Sequence, residues 1–379
     1  MIKLFTESFI YRIGSLAVRF IGTILLYRAL SEEEISHFIL IISWASIPYT
    51  LVGQLFKLEA QASGFRLNLR SMFSGVGVYF IASIVLWGFS SLELHYFLIF
   101  FILVLNSQFV SLAQGYFKPK IITLLDNVLS PLLLLSLISY TLLFSMKLSF
   151  DLVILMMIIG HTLNLLLSFS LWYSRYKLEV NYDLRFAQVG FLFNVILIFL
   201  ISLVGRLDLL ILGSERGSDL NSYYMVQRLA ELSLVGGEVY LSLNVYFMSG
   251  GVRERLSFKL IYHLIILLAI NFGFGLLIGI LFYLINDKFD LFDFQISYYL
   301  IFLAVFAIGS CVSFILNLNS FSNKNNLMII AYIVVLVFAL LLSSFISILW
   351  LFIFIQIVPL LLYLLLIKFG PKIRCLSIG

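Results

Sequence analysis

Apolar residues in this chain come in long uninterrupted runs separated by short polar breaks, from one end to the other. A transmembrane β-barrel would instead show strict alternation. Runs of about 17–25 apolar residues are the length a helix needs to cross a bilayer. They predict helical spans over residues 8–30, 36–56, 72–90, 95–116, 121–144, 150–173, 186–212, 222–248, 259–284, 296–317, 327–344 and 347–367. The last two touch through Ser343, Ser344 and Ser347, so the count is twelve, or eleven if they are one element.

Composition leaves no other class open. Of 379 residues, 62% are hydrophobic and 11% charged, with a mean hydropathy of +1.11. Soluble domains run about 45–50% apolar and about 25% charged. No polar stretch is long enough to build a separate globular domain, so any chemistry must sit in the helices or short loops. The first run carries Arg12 and Arg19 and lacks a small-residue cleavage site, which fits a retained first helix rather than a removed signal peptide. Cys311 and Cys375 form neither a disulfide framework nor a metal-ligand spacing.

The placement of charge gives an orientation. With these spans, loops on the side of the N-terminus hold 16 of the 24 Lys and Arg residues and the opposite loops hold 3. The positive-inside rule then puts both termini in the cytoplasm. The outer side carries Glu32-Glu33-Glu34 and Asp287, Asp290 and Asp293. Six spans fall in each half, and residues 34–41 set against 219–226 match conservatively at an offset of 185. This is a parallel 6+6 repeat: two six-helix bundles, residues 1–180 and 181–379, expected to be related by an axis along the membrane normal with a cavity between them.

Five basic residues remain inside spans: Arg12, Arg19, Arg28, Arg206 and Arg228. An arginine at mid-membrane costs roughly 2.5–3.5 kcal/mol on insertion scales and normally faces protein or water. Arg12, Ser15, Arg19 and Gly22 share one helical face. Arg12 and Arg28 lie near enough to span ends to snorkel, whereas Arg19 does not. In span eight Arg228, Glu231 and Glu238 also share a face. Arg228 and Glu231 have the spacing of an intrahelical ion pair, which would serve only to make the span insertable. Glu238 follows Gly236-Gly237, where a helix can bend, as expected of a hinge near an ion or proton site. Asp208 lies two residues from Arg206, and Asp126 lies early in span five; both are candidates for coupling or gating, alongside Glu231 and Glu238. Pro48, Pro131 and Pro359 should kink their spans. Gly275 and Gly279 form a small-xxx-small pair of the kind that packs helices. The four histidines share no metal-binding spacing, and no nucleophile–base pair, phosphate-binding glycine loop or nucleotide motif occurs. No cofactor is expected, and an ATP-driven pump would need its ATPase on another chain.

The opening span with "LLYRALSEEEISHFILIISW" and the segment "GRLDLLILGSERGSDLNSYYMVQRLAEL" resemble the polysaccharide repeat-unit flippases of O-antigen and capsule type. These belong to the multidrug/oligosaccharidyl-lipid/polysaccharide exporter superfamily. Asp208, Gly213, Tyr223 and Arg228 occupy the places of that family's loose motif. The resemblance implies an undecaprenyl-diphosphate-linked oligosaccharide as substrate, moved to the outer leaflet of a bacterial inner membrane by alternating access through a central cavity. Membrane lipids, a glycan polymerase and other proteins of lipopolysaccharide assembly are the implied partners; nucleic acid is not. Arginine suits a diphosphate, which it can hold bidentately while staying charged, so Arg12, Arg19, Arg206 and Arg228 are the candidate substrate-binding residues. A drug/cation antiporter of the same superfamily is the first alternative, though it would favour an acidic cavity. A membrane-embedded glycan polymerase or acyltransferase is the second, but such enzymes usually need a sizeable outer loop, and the longest here run to about ten residues. Reporter fusions at Lys324 and Ser214 should report inside and outside respectively, and the opposite pattern would overturn this topology.

Overall fold

A bilayer has no water to satisfy backbone N–H and C=O groups, so an apolar run that crosses it must close its hydrogen bonds internally. In the computed structural model every regular element among the described residues is accordingly a helix. The structure describes residues 2–62, 69–90, 92–93, 96–97, 100–113, 132, 136, 138–141, 143, 148–175, 189–215, 217–234, 237, 256–289, 294–319, 325–359 and 361–362. The helices are α1 (Ile2–Ala29), α2 (Glu32–Ala62), α3 (Leu69–Phe89), α4 (Phe101–Ala113), α5 (Phe150–Arg175) and α6 (Val189–Val204). They continue as α7 (Leu207–Glu215), α8 (Gly217–Glu231), α9 (Leu256–Phe289), α10 (Ile296–Asn319), α11 (Asn325–Leu342) and α12 (Ile348–Pro359). Four stretches of the described residues are long and apolar enough to cross a membrane: Glu32–Phe56, Met72–Phe89, Phe150–Ser170 and Leu264–Asp287. The bent pair Val195–Val204 and Leu207–Gly213 adds a fifth if it is one span. The chain is an all-α, multi-pass membrane protein.

It divides into two compact units, Met1–Phe191 with Gly213–Asn221, and Leu192–Leu212 with Ser222–Gly379. In the first unit α2 starts at a capping box. The Ser31 backbone N–H and hydroxyl both donate to Glu34 Oε2, at 2.9 and 2.8 Å, so the acidic residue reaches back to the helix start. α2 runs through Pro48 as a continuous helix and packs on α3 and α4, and α4 packs on α5. Lipid tails are as apolar as leucine, so polar contacts carry much of the specificity of such packing. The Tyr79 hydroxyl donates to the Phe97 carbonyl, and the Ser168 hydroxyl to Asn106 Oδ1 at 3.1 Å, all four residues being buried. At the start of α2, Ser36 Oγ donates to Asn221 Oδ1 at 3.1 Å, and Asn221 Nδ2 to the Glu32 carbonyl at 3.3 Å. Ser36 and Asn221 are the positions that the 185-residue offset equates, and here they are bonded to each other.

In the second unit, Leu197, Leu200 and Val204 of α6 share one core with Leu207, with Ile329, Tyr332, Val335 and Ala339 of α11, and with Leu351 and Ile355 of α12. The serines at 343–347 form a turn, so residues 325–342 and 348–359 are two helices rather than one element. Rings of Tyr223, Phe302 and Phe352 stack edge to face, with centroids 5.0 and 4.7 Å apart, and tie α8, α10 and α12 together. The expectation that Gly275 and Gly279 serve packing holds. A side chain at Gly275 would run into Leu303 and Ser233, and one at Gly279 into the Tyr299 ring. That ring cannot step aside, because it is buried and its hydroxyl donates to the Gly275 carbonyl at 2.5 Å. Large apolar side chains such as Leu277, Ile280, Leu281 and Leu284 of α9 are exposed instead, as suits a surface against hydrocarbon. Gly279→Leu should therefore lower the thermal stability of the purified protein by about 1–3 kcal/mol, whereas Leu281→Ala on the exposed side should change it little.

Candidate functional site

The seventh predicted span, residues 186–212, is not one helix. It bends by 47° between α6 and α7, at Gly205 and Arg206. Gly205 N–H still donates to Ile201 O at 2.9 Å, but Arg206 N–H turns to Leu203 O at 3.1 Å in a tighter turn. A Cβ on Gly205 would lie 3.0 Å from the Ile201 carbonyl, so the missing side chain lets the turn close. The bend gives span seven a fresh helix start inside the apolar layer, with Arg206 just before it and Asp208 in its first turn, where a carboxylate is favoured.

Span eight breaks as well. α8 ends at Glu231, and Leu232 and Ser233 form a turn in which Ser233 N–H donates to Ala230 O at 3.0 Å. The hinge expected at Gly236-Gly237 is thus preceded by a break at Leu232 and Ser233, where the Ser233 hydroxyl donates back to the Ala230 carbonyl at 2.6 Å. Gly236 and Glu238 lie outside the described residues. Gly237 N–H donates to Asn271 Oδ1 of α9 at 3.0 Å, and Asn271 Nδ2 donates to Ser310 Oγ of α10 at 2.7 Å. A side chain at Gly237 would meet Asn271 and Leu267, so glycine is what lets the two elements approach.

These breaks gather two layers of polar side chains. In the buried layer, Asp208 is fully enclosed, and its Oδ2 accepts from the Tyr223 hydroxyl at 2.7 Å and from Gln227 Nε2 at 3.2 Å. Asp208 Oδ1 and Gln227 Oε1 are buried and have no hydrogen-bond partner. In the second layer Arg228 Nη1 donates to Glu231 Oε2, and Arg206 Nη1 lies 3.9 Å from Glu231 Oε1. The Arg228 guanidinium sits 4.8 Å from the centre of the Tyr224 ring, a cation–π contact. Arg206, Arg228 and Glu231 keep about a quarter of their side-chain surface open, at 24%, 24% and 26%.

Four of the candidates from sequence, Arg206, Asp208, Arg228 and Glu231, therefore converge. Their pairing differs from the order along the chain: Arg206 turns to Glu231, and Asp208 to Tyr223 and Gln227. Arg206 lies in the bend and Asp208 in the first turn of α7, so neighbours in sequence take different partners here. The side chains of Arg12 and Arg19 on α1 lie outside the described part of the structure, as do Asp126 and Glu238 entirely. Gln227 and Asn271 were not singled out in sequence. The spacing of four from Tyr223 to Gln227 to Glu231 carries the signal for one helical face. Among the described residues no three His, Cys, Asp or Glu side chains are grouped to hold a metal ion.

No protein-family model matches the chain, and no curated protein matches it. Among solved structures it is similar to a crystal structure of MATE in complex with MaL6, with a TM-score of 0.57 and 15% sequence identity, over 100% of this chain and 97% of that one. The chain has the MATE fold. At so low an identity the MATE fold carries no side chain across, and the site rests on the residues described above. Tyr223→Phe should cost about 1–3 kcal/mol of stability, because it takes a donor from a buried carboxylate. Thermal unfolding of the purified protein checks it, and an unchanged midpoint would remove Tyr223 as the support of Asp208.

Proposed function

We propose that this protein is a transporter, not an enzyme, and that it flips an undecaprenyl-diphosphate-linked oligosaccharide from the cytoplasmic to the outer leaflet of a bacterial inner membrane. The observation that carries this reading is the pair Arg206 and Arg228 sharing one carboxylate, partly open, where an apolar span bends and the next helix ends. A diphosphate crossing a low-dielectric layer needs fixed positive charge, and guanidinium supplies it without losing its proton. Arg12 and Arg19 extend the same role on the first span, and both termini face the cytoplasm. The oligosaccharide is handed on at the outer face to a glycan polymerase and other proteins of surface-polysaccharide assembly. Asp126, Asp208, Glu231 and Glu238 serve as coupling or gating residues, accepting and releasing charge as the arginine-containing cavity opens to one side and then the other.

A second reading, a drug/cation antiporter, draws support from the MATE fold and from the two unpartnered buried oxygens of Asp208 and Gln227, which suit a cation. The two readings part on the arginines. In a glycan-display assay Arg19→Ala and Arg228→Ala should each reduce export at least about tenfold, and the Lys variants should restore it only in part because an ammonium lacks the bidentate fork. Full display by both Ala variants at normal membrane levels would overturn the flippase reading, and loss of cation efflux with display intact would favour the antiporter.

A further inference from the structure

Glu231 stands between two guanidinium groups: it accepts from Arg228 and faces Arg206 at 3.9 Å. We propose that this carboxylate is an exchangeable occupant of an anion site, which a phosphate of the transported lipid must displace, and that the exchange sets which anionic lipids the site admits. The inference rests on the flippase reading above.

Four observations support it. The three side chains remain about a quarter exposed, so a ligand can reach them, which a purely structural ion pair sealed among helices would not allow. Arg228 Nε is buried with no hydrogen-bond partner, although a guanidinium offers five N–H donors in a planar fork suited to an oxyanion. The Tyr224 ring holds the Arg228 guanidinium from its face, so the cation keeps its place when the carboxylate leaves. Finally, Glu231 is the last residue of α8 and is followed by a turn, so its side chain can swing without breaking a continuous helix.

The charge balance gives the selectivity. Replacing a carboxylate by the phosphodiester of a bulk phospholipid exchanges one negative charge for one, so it gains no attraction to offset the displacement. A diphosphate brings a second negative charge and gains on the exchange. Glu231 is thus a threshold that abundant singly charged headgroups fail to clear.

The test uses the purified full-length protein in detergent, with undecaprenyl diphosphate and phosphatidylglycerol as probes. The wild type should bind the diphosphate and show no measurable phosphatidylglycerol binding. Glu231→Gln removes the competitor for both, so it should tighten the diphosphate roughly tenfold or more and bring phosphatidylglycerol into the measurable range. Adding Arg228→Gln should abolish both gains. If Glu231→Gln cannot be recovered as a folded protein, Glu231→Asp keeps the charge but falls one methylene short of the pair, and it should give an intermediate tightening. A wild type that binds the diphosphate, with neither Glu231 variant binding it more tightly, would overturn the exchange and leave the flippase reading standing. A wild type that binds neither lipid would overturn the flippase reading and this inference with it.

Discussion

Two guanidinium groups and one carboxylate, gathered where an apolar span bends and the next helix ends, impose the condition that the rest of the second unit meets. Each charge is costly in hydrocarbon unless it is paired or wetted, so the chain must bring Arg206, from one side of a bend, to Glu231 at the end of another helix. A straight span seven and a straight span eight would fix the heights of those residues by the helical rise alone. The bend at Gly205 and the stop at Glu231 free both from it. Asp208 is then spared pairing with Arg206 and rests in the first turn of α7, where Tyr223 and Gln227 take up one of its oxygens.

The first unit solves a milder form of the same problem. Its buried polar side chains among the described residues are neutral, and several work in pairs: Ser168 with Asn106, Tyr79 with the Phe97 carbonyl, and Ser36 with Asn221. Such contacts between membrane helices are each worth on the order of 1 kcal/mol. They matter through number and position rather than individual strength. At the capped start of α2, Ser31 and Glu34 close each other's hydrogen bonds.

How much of this could be read from the sequence follows from the range of each interaction. Spans are legible because the bilayer sets a length and an uncharged run satisfies it; Met72–Phe89 and Phe150–Ser170 fall where hydropathy puts them. The Arg228 and Glu231 pair is legible because i and i+3 share a helix face. The bend at Gly205 is not, since a glycine in an apolar run is equally compatible with an unbroken helix. Nor is the stop at Leu232 and Ser233: the Ser233 hydroxyl donates back to the Ala230 carbonyl at 2.6 Å, but a serine in such a run is equally compatible with an unbroken helix. The tertiary partners decide both, and they lie in distant segments. Gly237 shows the point from the other direction: it looks like a flexible joint in sequence, yet its amide is held by Asn271, 34 residues on.

That bond has a mechanical consequence. Asn271 clasps the chain beyond the break and, through Ser310, links it to α10, so two hydrogen bonds fasten Gly237 to α9 and α10. α8 lies on the near side of the break and is held to α10 separately, by the Tyr223 and Phe302 rings. Any bending of span eight then falls on the stretch between Glu231 and Gly237, which opens with the turn at Leu232 and Ser233. Glu231 is the charged residue beside that pivot, where a rotation of α8 turns the carboxylate with little displacement of its backbone.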